Sequence, residues 1–80
     1  MSAASLLTRD GLHVYAHVDR HVSGRYLLCD LEYQGRGILG RADWNSDQLC
    51  YEVLRFSDDA GLFTSDLHSA MRFVVADLCP

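Results

Sequence analysis

Two stretches of the chain, residues 12–18 and 25–33, alternate apolar and polar side chains with a period of two. That is the period at which successive side chains of a β-strand change faces, and no helix can gather either set onto one stripe. In the first stretch Leu12, Val14, Ala16 and Val18 face a core. In the second, Leu27, Cys29, Leu31 and Tyr33 take the core side, and Tyr26, Leu28, Asp30 and Glu32 take the other. Gln34-Gly35-Arg36-Gly37 then separates this run from a third, residues 38–44, a spacing that predicts a β-hairpin with a short loop. Ile38, Gly40, Ala42 and Trp44 form the third core face, whose two small residues leave room for a helix close across the sheet, while Leu39, Arg41 and Asp43 point outward.

Helical signals follow. Asn45 or Ser46 can cap free backbone donors, Gln48 stands three residues after Asn45, and Asp47 suits the positive end of a helix dipole. Leu49, Val53 and Phe56, with Cys50 and Leu54 beside them, recur at spacings of three and four and predict a helix to about Ser57, ended by Asp58-Asp59-Ala60-Gly61. Thr64-Ser65-Asp66 repeats the capping chemistry ahead of Leu67, Met71, Val74, Val75 and Leu78, the cleanest helical period in the chain. The short connection makes the two helices antiparallel neighbours. The expected fold is therefore α+β, an antiparallel sheet of three to four strands with two antiparallel C-terminal helices packed on one face. Residues 1–10 read as a partly flexible N-terminal segment, within which Leu6-Leu7-Thr8 can add a short edge strand.

Eighty residues support one core, so residues 1–80 read as a single domain. With 49 % hydrophobic and 22 % charged residues the chain falls outside the disordered class. No apolar stretch approaches the roughly 20 residues of a membrane-spanning helix, and the N-terminus lacks the basic start and apolar segment of a secretory signal, so an intracellular location is expected. Seven basic residues, all arginine, against eleven acidic ones leave a net charge of −4, the wrong sign for neutralising phosphates, so direct nucleic-acid binding is not expected. Three cysteines without a CxxC pair fit neither a disulfide framework nor a zinc ribbon. Cys29 and Cys50 read as packed small hydrophobes, and Cys79, beside Pro80, as a possible intermolecular disulfide in a chain that is a monomer or a dimer.

Catalytic constellations fail on geometry. His13, His17 and His21 stand four apart, which on a strand separates neighbours by about 13 Å, too far to share a metal. No cysteine sits in a nucleophile motif, and Gly35-Arg36-Gly37 lacks the pattern of a phosphate loop. No enzymatic activity, metal or cofactor is expected. Asp30 and Glu32, two apart on one strand face, read as cross-strand partners of Arg41. A sheet covered by helices on one side leaves an open face, here carrying His13, Tyr15, His17, Tyr26, Leu28, Asp30, Glu32, Leu39 and Arg41. Its tyrosines and arginine are residue types that dominate protein interfaces.

Gly40-Arg41-Ala42-Asp43-Trp44-Asn45-Ser46-Asp47-Gln48-Leu49, a strand ending in Asp-aromatic before a capped helix, resembles the corresponding junction of a small type I-F anti-CRISPR protein. The likeness runs from about Leu12 to Leu78. It implies a four-stranded antiparallel sheet with two helices, and a phage-encoded, non-enzymatic inhibitor. Such an inhibitor binds Cas subunits of a type I surveillance complex (Cascade) through its sheet surface in the cytoplasm of the bacterial host and blocks target DNA. Val14-Tyr15 and Glu32 match the family's binding positions. With them, Asp30, Tyr26, Arg41 and His17 form the expected partner-binding set. The alternative is a small regulatory or toxin-neutralising protein-binding module using the same sheet or an exposed edge strand.

Overall fold

A strand of alternating character can bury one face only if neighbours extend the sheet beside it, and here every strand finds its partner in the next segment of chain. The computed structural model describes residues 2–7, 11–30 and 37–76. It contains β1 (Ser2–Leu7), β2 (His13–Val18), β3 (Arg25–Asp30), β4 (Ile38–Asn45), β5 (Cys50–Arg55), β6 (Gly61–Thr64) and α1 (Leu67–Val75). The strands form one antiparallel meander in sequence order. Flat, six strands would span about 24 Å at the usual spacing. Yet α1, only about 10 Å across, touches both edge strands β1 and β6 as well as β2, β4 and β5. The sheet therefore curls around the helix.

The small residues on the inner face permit that curl. Ala16, Gly40 and Ala42 are buried there, and a β-carbon added at Gly40 would lie 2.7 Å from Val74 Cγ1. The core joins Val14, Ala16, Leu28, Ala42 and Val53 of the sheet to Ala70, Met71, Val74 and Val75 of the helix. Asp66 starts α1 as its side chain accepts from the backbone N–H groups of His68 at 3.1 Å and Ser69 at 3.2 Å.

Three expectations are corrected. Among the described residues there are six strands in one sheet and one helix, not three or four strands and two helices. The segment expected to be the first helix is instead the β4–β5 turn followed by β5. Asn45 does cap, its side-chain oxygen accepting from Asp47 N at 3.0 Å and Gln48 N at 3.2 Å, but the cap closes a single turn. Leu49 then turns left-handed at φ 55°, and Cys50–Arg55 return as β5. The helical stripe was misleading because only Val53 of its main positions is buried, whereas Leu49 and Phe56 are 67 % and 43 % exposed. Thirdly, Ser2–Leu7 form the edge strand β1, longer than Leu6-Leu7-Thr8 and starting within the segment expected to be partly flexible.

The side chain of Arg55 ties the β5–β6 turn to the end of the helix. Its guanidinium donates to both Asp58 carboxylate oxygens at 2.9 and 2.7 Å and to the Phe73 carbonyl at 2.9 Å, and it lies 4.5 Å from the centre of the Phe73 ring. The hydrogen bonds from Arg55, then that from Ala60 N–H, hold the Asp58 carboxyl down at about 2. A carboxyl depressed by folding contributes stability above its unfolded value near 4 and loses it as the pH falls toward 2. Asp58→Asn is therefore expected to flatten part of the decline in melting temperature between about pH 4 and pH 2, while Asp66, whose carboxyl is lowered by Ser69 and His68, still contributes to it. Melts of both proteins across that range test it, and parallel curves would refute it.

Candidate protein-docking surfaces

Directly opposed residues of an antiparallel pair share a face, so the register decides which side chains meet. Val14 pairs with Asp30, Ala16 with Leu28 and Val18 with Tyr26. Leu28 in turn pairs with Gly40 and Tyr26 with Ala42. Tyr26, Leu28 and Asp30 therefore lie on the inner, helix-bearing face, the reverse of the phase expected for this strand. Leu28 and Asp30 are buried, at 0 % and 2 % exposure. Asp30 closes the β3–β4 hairpin, its carboxylate accepting from Gly37 N at 2.8 Å, while its own N–H donates to Gly37 O at 3.1 Å. That local bond accounts for a charged residue at a core position. It also replaces the expected pairing of Asp30 with Arg41.

The outer face carries Tyr15, His17 and Arg41 of the expected set. His13, Tyr15 and His17 form a row of rings along β2, with centroid separations of 4.4 and 5.9 Å and a 3.2 Å hydrogen bond between the Tyr15 hydroxyl and His13 Nδ1. Cys29 lies opposite Tyr15 and is buried, and Leu27 lies opposite His17 and Arg41. Across the sheet, Asp43 accepts from Arg25 Nε at 2.7 Å and stands 3.5 Å from Arg41 Nε. The Asp43 hydrogen bond is the main cause raising the Arg25 guanidinium. At the bulge in this hairpin Ile38 is exposed and Leu39 packs on the core. Of the expected site, then, Tyr15, His17 and Arg41 share a face, Tyr26 and Asp30 lie on the opposite one, and Glu32 lies outside the described residues, as does Cys79.

A second surface, not expected from the sequence, gathers at the end of the sheet formed by the 19–24 and 46–49 loops. Trp44 opposes Tyr51 across β4 and β5, and its backbone N–H donates to Gly24 O at 2.9 Å. The Trp44 and Tyr51 rings meet edge to face at 4.9 Å, and those of Tyr51 and Tyr26 at 6.0 Å, so the three rings run as one aromatic row. Tyr26 and Tyr51 rest against the core, but Trp44 is 42 % exposed, beside exposed Val18, Val22 and Leu49. No hydrogen bond to the Trp44 indole or the two phenols is made among the described residues. Burial, then the neighbouring Tyr26, pushes the Tyr51 phenol up. Asp19 and Asp47 lie in the loops around this end with no salt bridge among the described residues. Asp66 also lies at this end, after the Thr64 that opposes Tyr51, with its carboxylate 3.7 Å from His68 and 3.8 Å from Arg72.

Trp44 was legible as a core-face residue and Leu49 as part of a helical stripe; only the register and exposure place both on a surface. Among the described residues no three His, Cys, Asp or Glu side chains group as a metal site, and no helix is long and apolar enough to cross a membrane. Comparison with protein-family models, with curated proteins and with solved structures finds no match for this chain.

Proposed function

We propose that the chain is a non-enzymatic protein-binding module that acts by occupying a partner's surface. The observation that carries this reading is Leu49. A leucine at φ 55° pays about 1 kcal/mol or more for a conformation that glycine or asparagine adopts easily. Its side chain recovers none of that by burial, being 67 % exposed. Asp59, at φ 57°, belongs to a residue type that tolerates this region, so the Leu49 turn is the anomalous one. A strained, exposed leucine near an exposed tryptophan is explained by contact with something outside the fold, since tryptophan is the residue type most enriched at interface hot spots.

The resemblance gives this proposal one specific form, in which the partner is a type I CRISPR surveillance complex met in the cytoplasm of a bacterial host. Support for that form lies in Tyr15, next to Val14 on the outer face with His17 and Arg41. The helix implied after Trp44 is a hairpin here, and the general form does not depend on it. The other form is a regulatory or toxin-neutralising module.

The test is retention of host-lysate proteins, and of a purified type I surveillance complex, on the immobilised chain and on its Leu49→Gly and Trp44→Ala variants. Leu49→Gly is expected to melt no lower than the parent, because glycine relieves the strain, yet to lose its partner. A partner retained equally by the parent, by both variants and by Tyr15→Ala would sink the proposal. So would an absence of any partner.

A further inference from the structure

We infer that the aromatic end of the sheet, Tyr26, Tyr51 and Trp44 with the acidic loops beside them, binds an extended proline-rich segment carrying basic residues. This rests on the protein-binding reading above and names the chemistry of the partner. Three observations select it. The Trp44–Tyr51 and Tyr51–Tyr26 rings, edge to face at 4.9 and 6.0 Å, make a continuous aromatic row, the side-chain chemistry that lines sites for polyproline II segments. The Tyr26 and Tyr51 hydroxyls and the Trp44 indole N–H are donors without acceptors among the described residues. A polyproline II segment leaves its carbonyls unbonded and so supplies acceptors, whereas a helix spends its own internally. Finally, Asp66 is paired with Arg72 at 3.8 Å and Arg25 with Asp43 at 2.7 Å, which leaves Asp19 and Asp47 against Arg20 in the loops at this end. That balance favours a basic ligand and disfavours a second copy of a chain whose net charge is −4.

The chain contains one tryptophan, so its fluorescence reports on this site. The probe is a synthetic peptide of repeated Pro-Pro-Leu-Pro units with an arginine pair at one end, titrated into the intact chain. A saturable fluorescence change is expected, and affinity should fall when the arginines are replaced by glutamine or the salt is raised. By calorimetry Trp44→Ala should weaken binding more than tenfold. Tyr51→Phe, which removes only a hydroxyl, should weaken it about fivefold. Asp58→Asn, in the β5–β6 turn at the opposite end of the sheet, should not weaken it. Either of two results overturns the inference: no saturable binding, or equal binding of an alanine-rich helical peptide bearing the same arginine pair. If the retained partner of the preceding test is lost with Trp44→Ala while the proline peptide fails, the protein-binding reading stands and this inference falls. If both tests fail, both fall.

Discussion

Gly40→Ala is expected to cost about 2–3 kcal/mol, because overfilling a packed interior forces side chains and backbone apart. The added β-carbon would press on the carbonyl oxygen of Leu54 in the adjacent strand and lie 2.7 Å from Val74 Cγ1 on the helix. The valine can turn aside, but the carbonyl belongs to the β4–β5 ladder and cannot move alone. For a domain of this size the loss corresponds to a fall in melting temperature of roughly 10–20 °C. A melt followed by circular dichroism measures it. A change of only a degree or two would mean that α1 does not lie on β4.

Leu28→Ala should cost still more, about 2–5 kcal/mol for a fully buried leucine, whereas Leu27→Ala, on the outer face and half-buried, should cost about 1 kcal/mol. The comparison tests the phase of β3 directly. A one-residue slip in register moves every side chain of a strand to the other face, so the reverse ranking would turn the sheet inside out at this strand. Chemical denaturation of the two variants side by side distinguishes the outcomes.

The phase of β3 also shows how far sequence reading carried. In residues 25–30 apolar side chains occupy both faces, and Tyr26, Leu27, Leu28 and Cys29 offer no unique alternation. The choice fell on the wrong set because Asp30 counted as a surface residue. Its hydrogen bond to Gly37 N–H, seven residues away, makes it a core residue, and that bond exists only once the hairpin has closed. The candidate site was divided by the same cause: Tyr15, His17 and Arg41 stayed together, and Tyr26 and Asp30 went to the other side.

What the sequence determined by itself was local. It established that β2 is a strand with Val14 and Ala16 inward, that β3 and β4 form a hairpin, and that Asp66 caps a helix whose Met71, Val74 and Val75 face the core. Each follows from side-chain period or from a hydrogen bond within a few residues. Only the tertiary structure decided residues 45–57, where the same asparagine cap serves a helix or a single turn equally well. The outcome turned on whether Tyr51 and Val53 could pair with Trp44 and Ala42 on one side and with Thr64 and Leu62 on the other. Pairing on both sides buries a strand's backbone donors and acceptors in ladders, which a lone amphipathic turn cannot match. That decision also left Leu49 strained at the turn and Trp44 exposed, and so made the surface on which the proposed function rests.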